Sequence, residues 1–291
     1  MKSSIRITLS TILRHAALTG AVACVFGASG CTTSVRQVTD TRPVLRNSAP
    51  STMSELRIAD TALESNNFDL ATTLYEKALQ ADPKSVPALT GLGNTLYGVG
   101  DYTRAGVYYQ RASELDPKAT PPLIGTARVA IHQRRFDDAI ATYHRVLALK
   151  PNDPLACAGL GAALDLSGDH AHAQALLREA LIANPGDPML SVNLGLSLTL
   201  GGDPRQGANV LLDVTRFPAA PPQARQNLAL AYGLLGNEDA AAAILSRDLP
   251  KSSVQDNLRY YELQRGRDVQ PSKGVSVSAV ALPRVQTASA K

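Results

Sequence analysis

Small and apolar residues recur along this chain every 34 residues from Thr52 to Gln255, through six blocks without insertion. The blocks are 52–85, 86–119, 120–153, 154–187, 188–221 and 222–255. Within a block the apolar positions fall three and four apart, in two stretches broken by turn residues such as Gly100-Asp101. That spacing predicts two amphipathic helices per block, joined by a tight turn.

Helix packing accounts for the positions. The eighth residue of each block is small: Ala59, Gly93, Ala127, Gly161, Gly195 and Ala229. The twentieth is small as well: Ala71, Ala105, Ala139, Ala173, Gly207 and Ala241. Two small positions facing each other let the helices of a hairpin cross closely. Larger groups at the seventh position (Ile58, Leu92, Leu160, Leu194, Leu228) are expected to fill the space between hairpins. Pro83, Pro117, Pro151 and Pro185 stop the second helix. One hairpin cannot bury its apolar face alone, so the blocks must stack and wind around a concave groove.

Leu89, Leu92, Gly93, Leu96, Gly100, Tyr102, Ala105, Tyr109, Ala112 and Pro117 of the second block match the tetratricopeptide pattern. The resemblance implies an all-α, right-handed superhelical solenoid of about six helix hairpins plus a C-terminal capping helix. The fifth block departs from the pattern at Gly207, Pro204 and Phe217–Pro222, which predicts a stiff irregular joint. In the sixth, Asp248 replaces a buried small residue, so its second helix should stop near Arg247. Ser252 and Gln255 suggest a capping box opening a last helix over 253–265. Residues 256–266 are then the end of that cap, and 267–291, without periodicity, read as a disordered tail.

The first 30 residues read as a signal peptide: a basic start (Lys2, Arg6, Arg14), an apolar run over 16–26, then Gly27-Ala28-Ser29-Gly30 before Cys31. Ala28-Ser29-Gly30-Cys31 resembles a bacterial lipobox, with Ala where Leu is usual and Cys24 as a weaker competitor. The resemblance implies a lipid on the Cys31 sulfur. Thr32, in place of Asp, points to the outer membrane, facing the periplasm. A soluble periplasmic protein cut after a small residue is the alternative. Residues 31–51, rich in Thr, Ser, Arg and Pro, form a flexible tether.

Charge narrows the partners. The formal charge is +4, but without the leader 26 basic residues face 25 acidic ones, leaving no cationic field for nucleic acid. Once the leader is cut, Cys31 and Cys157 are the cysteines left, and a lipidated Cys31 leaves no disulfide. Gly159-Leu160-Gly161 and Gly91-Leu92-Gly93 lie inside helices, not at a strand-to-helix phosphate turn. His170 and His172, two apart on a helix, diverge, so no metal site is expected. His132 and His144 lack a catalytic partner, and Cys157 holds a core position. The chain is therefore expected to be no enzyme, without cofactor, metal or small-molecule substrate. It is expected to bind proteins on the concave face, at Asn94, Tyr97, Arg128, Ile131, His132, Asn193 and Asn227. Asn193 and Asn227 share the sixth position of successive blocks and suit a peptide main chain, though helix–helix bonding would also explain them. Val192, Leu196, Leu200, Leu230 and Leu234 make the far end of the face apolar, open to a partner helix or filled by the last helix.

Arg225-Gln226-Asn227-Leu228-Ala229-Leu230, Asp248-Leu249-Pro250 and Asn257-Leu258 resemble the C-terminal region of TadD-type lipoproteins of the tight-adherence (Flp) pilus assembly system. This implies a membrane-anchored scaffold for pilus and secretin components. Another tetratricopeptide lipoprotein adaptor, such as a type IV pilotin or an organiser of peptidoglycan hydrolases, is the alternative.

Overall fold

The computed structural model describes residues 52–268, which form helices and turns without a strand. The expected signal peptide, lipid site at Cys31 and tether, and the expected tail beyond Asp268, lie outside the described residues. Six hairpins follow in order: α1 (Thr52–Glu64) with α2 (Phe68–Ala81), α3 (Val86–Gly98) with α4 (Tyr102–Leu115), α5 (Thr120–His132) with α6 (Phe136–Leu149), α7 (Pro154–Ser167) with α8 (His170–Ala183), α9 (Pro188–Leu200) with α10 (Pro204–Thr215), and α11 (Pro222–Leu234) with α12 (Glu238–Leu245). A last helix, α13 (Lys251–Asp268), packs on α11 and α12. The 34-residue period thus produces the all-helical solenoid it predicts.

Local chemistry sets the helix ends. Asn67, Asp101, Asp169, Asp203 and Asn237 each accept a backbone N–H from the first turn of an even helix. Proline occupies the first turn of α3, α5, α7, α9 and α11, where its missing N–H costs nothing. The turn residue inside each hairpin has positive φ, as at Gly100 and Gly168. The third hairpin keeps the positive φ but on Arg134 (φ 60), a long side chain where others have glycine or asparagine, and Arg135 stands where the others place a capping Asp or Asn.

The core follows one register. Tyr75, Tyr109, Tyr143, Leu177, Leu211 and Leu245 hold the twenty-fourth position of successive blocks, and none is more than 1% exposed. Each lies where its own hairpin meets the next odd helix. Ile58 is the exception to inter-hairpin filling: it is 50% exposed, because no described element packs on that side of α1.

The irregular regions have specific causes. In the fifth hairpin, a Cβ on Gly207 would sit 2.2 Å from Thr199 Oγ1 and 2.6 Å from the Gly195 carbonyl oxygen. Glycine there permits closer helix approach rather than loosening the hairpin. Helix α12 ends at Leu245, and the Asp248 carboxylate beyond it takes two bonds from Arg225, at 2.6 and 2.7 Å. Helix α13 starts at Lys251, so Ser252 lies within its first turn rather than capping it, and it runs to Asp268.

Candidate functional site

Odd and even helices form two unlike layers. Each odd helix touches the odd helix of the next hairpin, from α1 to α13, whereas no even helix touches another even helix. Repeats that touch on one side and separate on the other curve toward the touching side. The odd helices therefore line the inner face. Helix α13 contacts only α11 and α12, so among the described residues it closes the end of the stack and leaves that face uncovered.

The face changes chemistry along its length. Over α1 and α3 it is polar. The Tyr75 hydroxyl donates to Asp60 Oδ1 at 2.6 Å, and the Tyr109 hydroxyl donates to Asn94 Oδ1 at 2.7 Å. Burial raises both tyrosine pKa values, so both remain donors. A cleft beside these groups is lined by Asp60, Thr90 and Asn94 with Pro87, Pro121 and Pro122.

At α3 and α5 the face is cationic and aromatic. The Arg128 guanidinium lies 3.9 Å from the Tyr97 ring centroid. His132 meets Tyr97 edge-on at 5.2 Å and stacks on Tyr102 at 4.0 Å. Burial, then Arg128, lowers the His132 pKa and keeps the ring neutral. Burial raises that of Tyr97, and Arg128 opposes it. Ile131 packs on the core and is half-buried.

Beyond α5 the face is apolar. Leu155 and Leu166 of α7, with Met189 and Leu200 of α9, are 47%, 51%, 37% and 47% exposed, enough to offer side-chain surface to a partner. Leu196, Leu230 and Leu234 beside them are half-buried, while Val192 is buried. The apolar patch therefore starts a hairpin earlier than the sequence reading placed it. The spacing of seven and four residues from Leu155 through Ala162 to Leu166 was the signal.

The two asparagines differ. Asn193 Nδ2 donates to the Ala158 carbonyl at 3.0 Å, bonding α9 to α7. The Asn227 side chain is half-buried and makes no hydrogen bond among the described residues. The glycines at the same position elsewhere have a steric cause. A Cβ on Gly91, Gly125 or Gly159 would enter the ring of Tyr75, Tyr109 or Tyr143, at 2.2, 2.4 and 2.2 Å. Asparagine follows where the preceding block has Leu177 or Leu211 instead.

A polar cluster was missed from the sequence. Ser197 Oγ donates to Asp165 Oδ1 at 2.7 Å, and His170 Nδ1 reaches the same oxygen at 2.8 Å. Burial raises the Asp165 pKa against both bonds. The fully buried serine bonds the carboxylate and not the imidazole, so this trio ties α7, α8 and α9 together and presents no nucleophile. His172 pairs separately with Asp169. Cys157 is 2% exposed, and burial raises its thiol pKa, which makes it inert.

Tetratricopeptide repeat family models match residues 56–120, 96–164 and 130–191. Solved structures with similar folds include a tetratricopeptide repeat protein from Parabacteroides merdae, at TM-score 0.62 and 12% identity, over 75% of this chain and 87% of that one. PilW, described as a widely conserved type IV pilus biogenesis factor, aligns at TM-score 0.61 and 19% identity, over 72% of this chain and 97% of its own. The Pseudomonas aeruginosa pilF protein aligns at 0.58 and 16%, over 73% and 97%. At these identities the likeness is one of fold. No curated protein matches the sequence.

Proposed function

Because the chain is a tetratricopeptide repeat protein, we propose that it is a non-enzymatic scaffold that docks protein partners on its odd-helix face. Within that reading, a lipid on Cys31 holds it to the outer membrane, and its partners are components of a Flp-type pilus secretion machine. The observation that carries the docking function is the uncovered apolar stretch of Leu155, Leu166, Met189 and Leu200. Exposed leucines at helical spacing suit the apolar side of an amphipathic segment. The pilus assignment rests on the resemblance of Arg225–Leu230 and Asp248–Pro250 to TadD-type lipoproteins. A second reading, an adaptor for a type IV pilus, draws on the near-complete coverage of PilW and pilF by this fold.

A photo-crosslinking residue at Leu200, on α9, and another at Leu212, on α10, test the reading in membranes. Adducts with a secretin or another pilus component are expected from Leu200 and not from Leu212. Adducts from both faces alike, or with no envelope protein, would overturn it. Replacing Cys31 by Ala should release the chain from the membrane fraction.

A further inference from the structure

We propose that the cleft between α1, α3 and α5 recognises a lysine or arginine side chain in an extended segment of the partner. This rests on the reading of the odd-helix face as a docking surface and names what its polar end selects. The cleft measures about 310 Å³. Of its polar side chains, Thr90 is turned back onto the Val86 carbonyl, while Asp60 and Asn94 occupy the ninth position of successive blocks, and a buried tyrosine holds each of them.

That holding decides what the cleft displays. The Tyr75 hydroxyl occupies Asp60 Oδ1, and Oδ2 has no bond among the described residues. Asp60 has no cationic partner there, although it is exposed. The Tyr109 hydroxyl occupies Asn94 Oδ1, which leaves the amide N–H groups to donate. The cleft therefore offers a charged acceptor beside a neutral donor. Pro87, Pro121 and Pro122 supply walls without an N–H.

Each ligand class meets this set differently. An acidic side chain is repelled by Asp60, and an apolar one leaves the carboxylate desolvated and unpaired. A lysine or arginine lays its methylene stem along the prolines and brings its charge to Oδ2. A carbonyl of the same segment then accepts from Asn94. Arg128, the ninth residue of the next block, reverses the sign and marks where basic preference ends.

The test uses the full-length protein in detergent and a peptide library of random segments with one position fixed as Lys, Arg, Glu or Leu. The Lys and Arg sets should bind best, more weakly at high salt. Asp60→Asn keeps a carbonyl for the Tyr75 hydroxyl, so the fold should survive, which circular dichroism checks. It should weaken the Lys and Arg sets about tenfold, whereas Glu114→Gln on α4 should not. The proposal is overturned if Asp60→Asn keeps the basic preference, if Glu114→Gln removes it equally, or if no set binds the wild type. Crosslinking at Leu200 reports on the wider docking face separately. Adducts there alongside a failed peptide test would sink the cleft alone.

Discussion

A residue that looks wrong for its block can be the one the packing requires. Gly207 holds a position where five other blocks have alanine, and helix propensity favours alanine by about 1 kcal/mol. Yet the missing Cβ would lie 2.6 Å from the Gly195 carbonyl oxygen, on backbone that cannot swing aside. Overpacking of that kind costs about 1–3 kcal/mol, which outweighs the propensity gain. Gly207→Ala is therefore expected to lower stability in urea, and a higher midpoint would refute the argument. Arg134 is the opposite case. Its φ of 60 is strained for a side-chain-bearing residue, and Arg135 leaves α6 without a side-chain cap. Arg134→Gly and Arg135→Asp should each raise stability by about 1 kcal/mol. The two sites are adjacent, so a double variant tests whether the gains add.

At the scale of elements, some of the structure was legible and some was not, for a definite reason. The eighth and twentieth positions are readable because both stay small in every block: a Cβ on Gly93, Gly161 or Gly195 would meet the twenty-fourth residue of its own block, and one on Gly207 would meet the Gly195 carbonyl. The sixth position is not readable alone, because its neighbour is the twenty-fourth residue of the block before. Seen together, Tyr75, Tyr109 and Tyr143 go with Gly91, Gly125 and Gly159, while Leu177 and Leu211 go with Asn193 and Asn227. The asparagines were visible in the sequence, but the bond from Asn193 to Ala158 required the helix crossing. Likewise Asn94 was visible while Asp60 was passed over, since only the cleft joins them. The pairing is testable by a cycle. Gly159→Asn should destabilise by about 2 kcal/mol, because its side chain meets the Tyr143 ring. Tyr143→Leu should also destabilise. The double variant should recover part of the combined loss, and strict additivity would show that ring and glycine are independent.

For the whole molecule, stability is a chain of neighbour contacts, so the ends decide how it opens. Helix α13 closes the C-terminal end, and one ion pair fastens the segment leading into it. Arg225 at the start of α11 grips Asp248, between α12 and α13, and also donates to the Ala220 carbonyl. The bond from Arg225 holds the Asp248 carboxyl below the usual carboxylate range. A lowered folded pKa means the pair stabilises fully above the pKa of the unfolded carboxylate and loses that contribution as pH falls through the folded value. The capping aspartates Asp101, Asp153 and Asp169 also titrate low, and Asp153 pairs with Lys150 between α6 and α7, but those groups lie inside the stack, where hairpins on both sides hold the helices, whereas Arg225–Asp248 fastens its end. Acid should therefore loosen α12 and α13 before the central hairpins. Amide hydrogen exchange, corrected for intrinsic rates, should show their protection falling between pH 6 and pH 3 while α5 to α8 hold. Arg225→Gln should show the loosened end already at pH 6, with little further response there to acid. If α12 and α13 in that variant are as protected at pH 6 as in the wild type, the pair does not fasten the end. The end would then owe its order to the apolar contacts of Tyr261 and Val254 and to Arg265, which donates to the Gly233 carbonyl and pairs with Glu238.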